Sequence, residues 1–218
     1  ASRKSLYKQW RGYSSNEVDG KPSLAENIGF FVRYQIGWMY WRYFMWNFSG
    51  RQSGDQGYYD WDESDGNWYT GIGFIDEMRL HPEDEMSDRM KNDPYRNSYF
   101  MLPFIFGLVG LFFHFKNRSN EALGLLGLFL ITGIGIIIYS NQPPSEPRER
   151  DYVLVGSFFT FCIWIGMAVP AIVDLIRKRL NIASMGATAI AVVVVLSAPL
   201  IMGFENFDDH SRMDQTGA

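Results

Sequence analysis

The sequence predicts an all-α integral membrane protein: about four transmembrane helices, an aromatic helix lying in the membrane interface, and a long exterior loop region. Three observations carry this. Charge is concentrated in residues 1–98, and long apolar runs fill residues 99–204. Trp, Tyr and Phe crowd one stretch, Met39–Phe48, just before the loop region. The mean hydropathy of −0.13 averages two unlike halves and describes neither. A net charge of −4 gives no basic surface for nucleic acid.

The elements follow in chain order. Ser23 with Glu26 forms a capping box, so a helix starts there. The run that follows carries Trp38, Tyr40, Trp41, Tyr43, Phe44, Trp46 and Phe48, together with Arg33, Gln35 and Arg42. Trp and Tyr favour the membrane–water boundary, so residues 23–48 are expected to lie in the outer interface. At the α-helical pitch Arg33 and Arg42 fall on opposite faces, so one can snorkel to headgroups while the other needs an anionic partner. Residues 49–98 read as loop, with short turns and one amphipathic helix around Pro82–Lys91.

Four apolar runs are then long enough to span a bilayer, which takes roughly 17–25 residues: Tyr99–Phe115, Ala122–Tyr139, Tyr152–Ile176 and Ala183–Phe204. The second holds Gly124, Gly127, Gly133 and Gly135, which permit close helix approach. Pro170 is expected to kink the third without ending it. Asp174, one turn from its basic end, pairs in expectation with Arg177 or Lys178. Its position is too peripheral to suggest a transport pathway.

Orientation follows from the links. Lys116 and Arg118 lie in the first link, and Arg177, Lys178 and Arg179 in the third. The second, residues 140–151, has Arg148 and Arg150 against Glu146, Glu149 and Asp151. The positive-inside bias makes the first and third cytoplasmic. Residues 1–98, 140–151 and the tail 205–218 then share the exterior side. The single cysteine, Cys162, excludes an intrachain disulfide. A start at Ala-Ser-Arg-Lys, without Met, is expected of an internal piece of a larger protein.

Two clusters carry candidate chemistry. In Pro147-Arg148-Glu149-Arg150-Asp151-Tyr152, acids at a helix start complement the macrodipole, and arginines there suit lipid phosphates. The same residues also suit an anionic lipid-linked substrate, because Arg forks hold phosphate oxygens and a neighbouring carboxylate orients them or takes a proton. In Asp208-Asp209-His210-Ser211-Arg212, a Mn²⁺ or Mg²⁺ site competes with an exposed acidic turn. Adjacent Asp residues on a helix point about 100° apart, which favours the turn. His81 and His114 read as surface residues. No P-loop, nucleophile elbow or HExxH occurs, and Gly71-Ile72-Gly73 fails the dinucleotide pattern at Asp76.

In this order, "MYWRYFMWNFSGRQ" (39–52), "GNWYTGIGFID" (66–76), "NQPPSEPRERDYVLVGSFFTFCIWIGM" (141–167) and "DDHSR" (208–212) make the specific pattern. Over residues 20–218 it resembles the middle of the large bacterial multi-pass membrane proteins related to protein O-mannosyltransferases, of the GT-C class. The resemblance implies a GT-C-like fragment in the bacterial inner membrane. It implies sugar transfer, mannosyl by expectation, from a polyprenyl-phosphate donor to Ser/Thr of exported proteins, with no cofactor and no metal.

On that resemblance Arg148 and Arg150 hold the phosphate, and Glu149 and Asp151 position them. Arg42 and Trp41 line the donor entry, and Asp208, Asp209, His210 and Arg212 form the rim. The implied partners are membrane lipids, the polyprenyl-phosphate sugar, the exported acceptor, and the rest of the same protein or other membrane subunits. The family's first-loop Trp-Asp-Cys-Gly-Glu-Phe motif does not occur, so no catalytic acid is assigned. Phe207 and Ser211 replace a Trp and an Asp of the family pattern, which weakens the metal reading. The alternative implied by these departures is a non-catalytic accessory subunit of a membrane complex, derived from the same family.

Overall fold

In the computed structural model, residues 3–12, 22–80, 82–144, 151–180 and 183–207 are described. The chain is mostly helical, and three helices are long and apolar enough to cross a membrane. It is an all-α membrane protein at this level of description. The elements are α1 (Arg3–Trp10), α2 (residues 24–48), α3 (Gly73–Arg79), α4 (Asp88–Lys91), α5 (Leu102–Asn117), α6 (Ser119–Ser140), α7 (Asp151–Leu180) and α8 (Ser184–Glu205). A two-residue antiparallel ladder joins β1 (Gly50–Arg51) to β2 (Asn97–Ser98), with Gly50 opposite Ser98.

The candidate membrane crossings are α6, α7 and α8. The first apolar run is shorter than a typical span: α5 has 16 residues, about 24 Å of helix. It begins at Leu102 because Phe100 and Met101 both adopt left-handed backbone, turning the chain sharply into the bundle. Pro170 and Pro199 sit inside α7 and α8 without ending them. The Asp174–Lys178 pair forms at 3.8 Å.

Helix α7 is the hub. Helix α5 runs parallel to it at very short range, because Gly107 lies under the Phe161 ring and Gly110 lies on the Trp164 carbonyl. Nearby, Trp164 Nε1 donates to His114 Nδ1 at 3.3 Å. His114 is therefore a buried bundle residue and not a surface one. Helix α8 closes the other flank, where Val195 and Ala198 pack with Phe106 and Ala168.

Helix α6 runs back antiparallel, and Gly133 admits the Tyr40 ring, whose hydroxyl meets Ser157 Oγ at 2.6 Å. Of the four glycines of this run, only Gly133 is a close approach. Gly124 and Gly127 have open space beside them, and Gly135 only ordinary contact.

The register of α5 on α7 puts Leu102 near the level of residue 156, so α7 stands about 8 Å above the start of α5. The carboxy-terminal part of α2 fills that space. Phe44 and Phe48 pack at 4.8 and 4.7 Å on Phe161, and Phe44 also meets Phe104 and Phe129. Half of the aromatic helix is thus core, and only its first turns are peripheral.

Candidate functional site

Helix α2 starts as expected: Ser23 Oγ accepts from Glu26 N–H at 3.3 Å, and the Ser23 N–H donates to Glu26 at 2.5 Å. From Phe31 to Arg42 it widens into a π-helix. This overturns the opposite-face reading of the two arginines. Nine residues make two and a half turns of an α-helix. An i→i+5 helix takes about 4.4 residues per turn, so nine residues make about two full turns. Arg33 and Arg42 therefore both reach the loop of residues 58–66.

Arg33 binds Asp60 with two donors, one at 2.7 Å, beneath the rings of Trp10 and Trp61. Arg33 has the carboxylate partner that one of the two was expected to need. Arg42 is buried, donates to the carbonyls of Trp38 and Gly66, and lies 4.4 Å from the Trp38 ring centre and 5.6 Å from that of Trp46. A guanidinium held this way fixes loop to helix. Trp41 points the other way, half-exposed, edge-on to Phe104 at 5.9 Å. These two neighbours thus do not line one surface.

Three of the sequence-predicted segments meet at one end of the bundle. Gln35 Nε2 donates to Asn141 Oδ1 at 3.0 Å, which ties α2 to the turn that follows α6. Asn206, one residue past α8, gathers the ladder: its Oδ1 accepts from Arg51 and from Asn97 at 3.1 Å, and its Nδ2 donates to the Tyr99 hydroxyl at 2.8 Å. Glu205 accepts from the Ser98 N–H at 3.2 Å. The basic residues Lys116, Arg118, Arg177, Lys178 and Arg179 lie at the helix ends away from this cap. Arg148, Glu149, Arg150, Asp208, Asp209, His210 and Arg212 lie outside the described residues, as does the side chain of Asp151, the first residue of α7.

The cap also contains acids that sequence reasoning did not single out. Asp76 is buried and accepts from Thr70 N–H at 2.9 Å, Thr70 Oγ1 at 2.8 Å and Gly71 N–H at 2.9 Å. A carboxylate so fully engaged is a clamp and not a base. The local signal was present: Thr70, Gly71 and Asp76 are only five to six residues apart. Arg79 lies 3.9 Å from Asp76 and over the Trp68 ring, and burial pushes its guanidinium down to about 10 against the opposing pull of Asp76.

Burial first, then the charges of Asp55 and Asp62, pushes the Asp65 carboxyl above its ordinary range, opposed by Arg89 and Ser64. Among the described residues no three His, Cys, Asp or Glu side chains are grouped to hold a metal ion.

No family model, no curated protein and no solved structure matches this chain.

Proposed function

We propose that the chain is the membrane-embedded, donor-holding part of a polyprenyl-phosphate-sugar-dependent protein O-glycosyltransferase in a bacterial inner membrane. The observation that supports it is the gathering of α2, the Asn141 turn and Asn206 at one end of the bundle. Helix α2 and the Asn141 turn carry two of the four motifs of the resemblance, and Asn206 stands two residues before a third. The opposite end is basic, and the positive-inside bias puts the gathered end on the exterior face. Helix α5 serves as a fourth crossing, its missing outer turns replaced by the end of α2.

In this reading Arg148 and Arg150 grip the donor phosphate. A Ser/Thr hydroxyl of the acceptor attacks the anomeric carbon, the bond from that carbon to the phosphate oxygen breaks, and the arginines hold the developing charge on the leaving lipid phosphate. The acceptor proton passes to a carboxylate, for which none of the described acids is assigned. Arg42 braces the wall of the cap, and Trp41 stands at the lipid-facing entry beside Phe104.

The test is Arg150→Ala in the full-length protein, reading both glycosylation of an exported acceptor and retention of polyprenyl phosphate in nanodiscs. The proposal expects both to fall at least tenfold. Undiminished transfer removes Arg150 from the site. Failure of the unaltered protein to retain the lipid favours the accessory-subunit reading.

A further inference from the structure

Helix α3 carries its polarity inside out. Phe74 and Met78 are 70% and 77% exposed, whereas Asp76 is 3% exposed. At the α-helical pitch Phe74 and Met78 stand about 40° apart, and Asp76 lies about 200° from Phe74. The inward face is thus an acid clamped to Thr70 and Gly71, next to an arginine stacked on Trp68. The outward face is a large aromatic and a large thioether. A helix facing water is arranged the other way, and a buried carboxylate opposite an exposed apolar pair is the informative deviation.

The helix cannot roll to correct this. Three hydrogen bonds to Asp76 and the seating of Arg79 fix its rotation.

The surroundings say what covers that face. The root of α3 is pinned to the start of α5: the Phe100 N–H donates to Thr70 O at 3.0 Å, and a Cβ on Gly71 would stand 3.2 Å from the Phe100 ring. Phe100 is itself exposed, and exposed Ile105 and Phe112 continue down α5. On the other side Ser98 is bonded to Glu205, beside exposed Phe204 and Phe207 at the end of α8. The apolar face of α3 is therefore rooted beside the apolar surface of the bundle. Glu77, exposed on its flank, keeps its carboxylate toward water as an interfacial helix requires.

The same inversion recurs on α2, where Leu24 and Ile28 are exposed while Glu26 turns in to Ser23 and to Arg11 at 2.7 Å.

We propose that α3 is a membrane-seated helix, with Phe74 and Met78 inserted at the boundary between headgroups and acyl chains on the side of the bundle that carries the cap. It anchors the loop region to the bilayer and does not depend on the glycosyltransferase reading.

The experiment uses the full chain with Cys162→Ser and Met78→Cys, spin-labelled at residue 78 and reconstituted in vesicles of phosphatidylcholine and phosphatidylglycerol. Collision rates with oxygen and with a water-soluble nickel chelate are compared with those at Asp88→Cys, which is exposed on α4, and Ile131→Cys, which is exposed on α6. The expected ratio of oxygen to nickel accessibility at residue 78 is at least about threefold that at residue 88, approaching residue 131. A ratio equal to that of residue 88 places the face in water and overturns the proposal. Low collision with both reagents means a protein covers it, which overturns it equally. Phe74→Cys, labelled in the same background, repeats the measurement at a second position on the face.

Discussion

Replacing Gly110 by Ala adds one carbon at the tightest helix contact in the bundle. That carbon would stand 1.8 Å from the Trp164 carbonyl oxygen, 2.7 Å from its carbon and 3.0 Å from the Ala168 nitrogen. All three are backbone atoms, so no rotamer can yield. Reaching an ordinary contact of about 3.4 Å requires α5 and α7 to part by about 1.6 Å. A gap of 0.5–1 Å already forfeits roughly a quarter to a half of each dispersion contact, and Phe161 on Gly107 lies one turn away on the same seam.

Overpacking of this kind costs about 1–3 kcal/mol, and backbone against backbone belongs at the upper end. The assay is thermal unfolding in detergent and in nanodiscs, with Gly124→Ala and Gly127→Ala as matched controls, since both have open space beside them. Gly110→Ala is expected to lower the midpoint by several degrees, while the controls stay level or rise. If Gly110→Ala melts with the unaltered protein, the register assigned to α5 on α7 is wrong, and if Gly127→Ala melts lower than it, the open face assigned to Gly127 on α6 is wrong.

Asn206→Ala removes the acceptor shared by Arg51 and Asn97 and the donor to Tyr99, at about 1–3 kcal/mol. Hydrogen exchange should quicken at Gly50–Arg51 and Asn97–Ser98 while α6 and α7 stay protected. Asp76→Asn keeps one oxygen where a carboxylate serves three donors, so about 1–3 kcal/mol of local stability is lost. Proteolytic cleavage within residues 70–80 should then become faster.

Asp65 holds its proton more tightly in the folded state than in the unfolded chain. Its contribution to stability is therefore lost as pH rises from the ordinary carboxylate value through the raised one. Asp65→Asn should raise the melting temperature at neutral pH and match the unaltered protein below about pH 4. A midpoint difference that does not change with pH refutes the assignment.

The bundle was legible because its signal is long. Runs such as 122–139 and 183–204 admit few alternatives once a bilayer length is required. The start of α2 was legible because a capping box is a local chemical agreement between two residues, Ser23 and Glu26. Its interior was not. Facing residues were assigned at the α-helical pitch, and a π-helix from Phe31 to Arg42 changes that pitch without any rule of composition to announce it.

Glycine counting had a similar blind spot. It marked Gly124, Gly127, Gly133 and Gly135 alike, whereas only the partner across the gap decides, here the Tyr40 ring on Gly133. Helix α3 was missed inside a polar stretch because its seven residues are fixed by Asp76 from within. For the candidate site, the sequence required a partner for one of Arg33 and Arg42 and left open which, and Arg42 proves to have several. Those partners, the Gly66 carbonyl and two indole rings, come from tertiary contact.

The shortness of α5 bears on the bilayer itself. With α5 as a crossing, about 24 Å of apolar helix faces a hydrocarbon layer of about 30 Å, a mismatch of about 6 Å on that flank alone. Helix α6, with 22 residues and about 33 Å, has no such deficit on its own flank. In that reading the end of α2, which fills the space above the start of α5, would make up the difference, so this flank would be completed by another helix's side chains and not by thinned lipid.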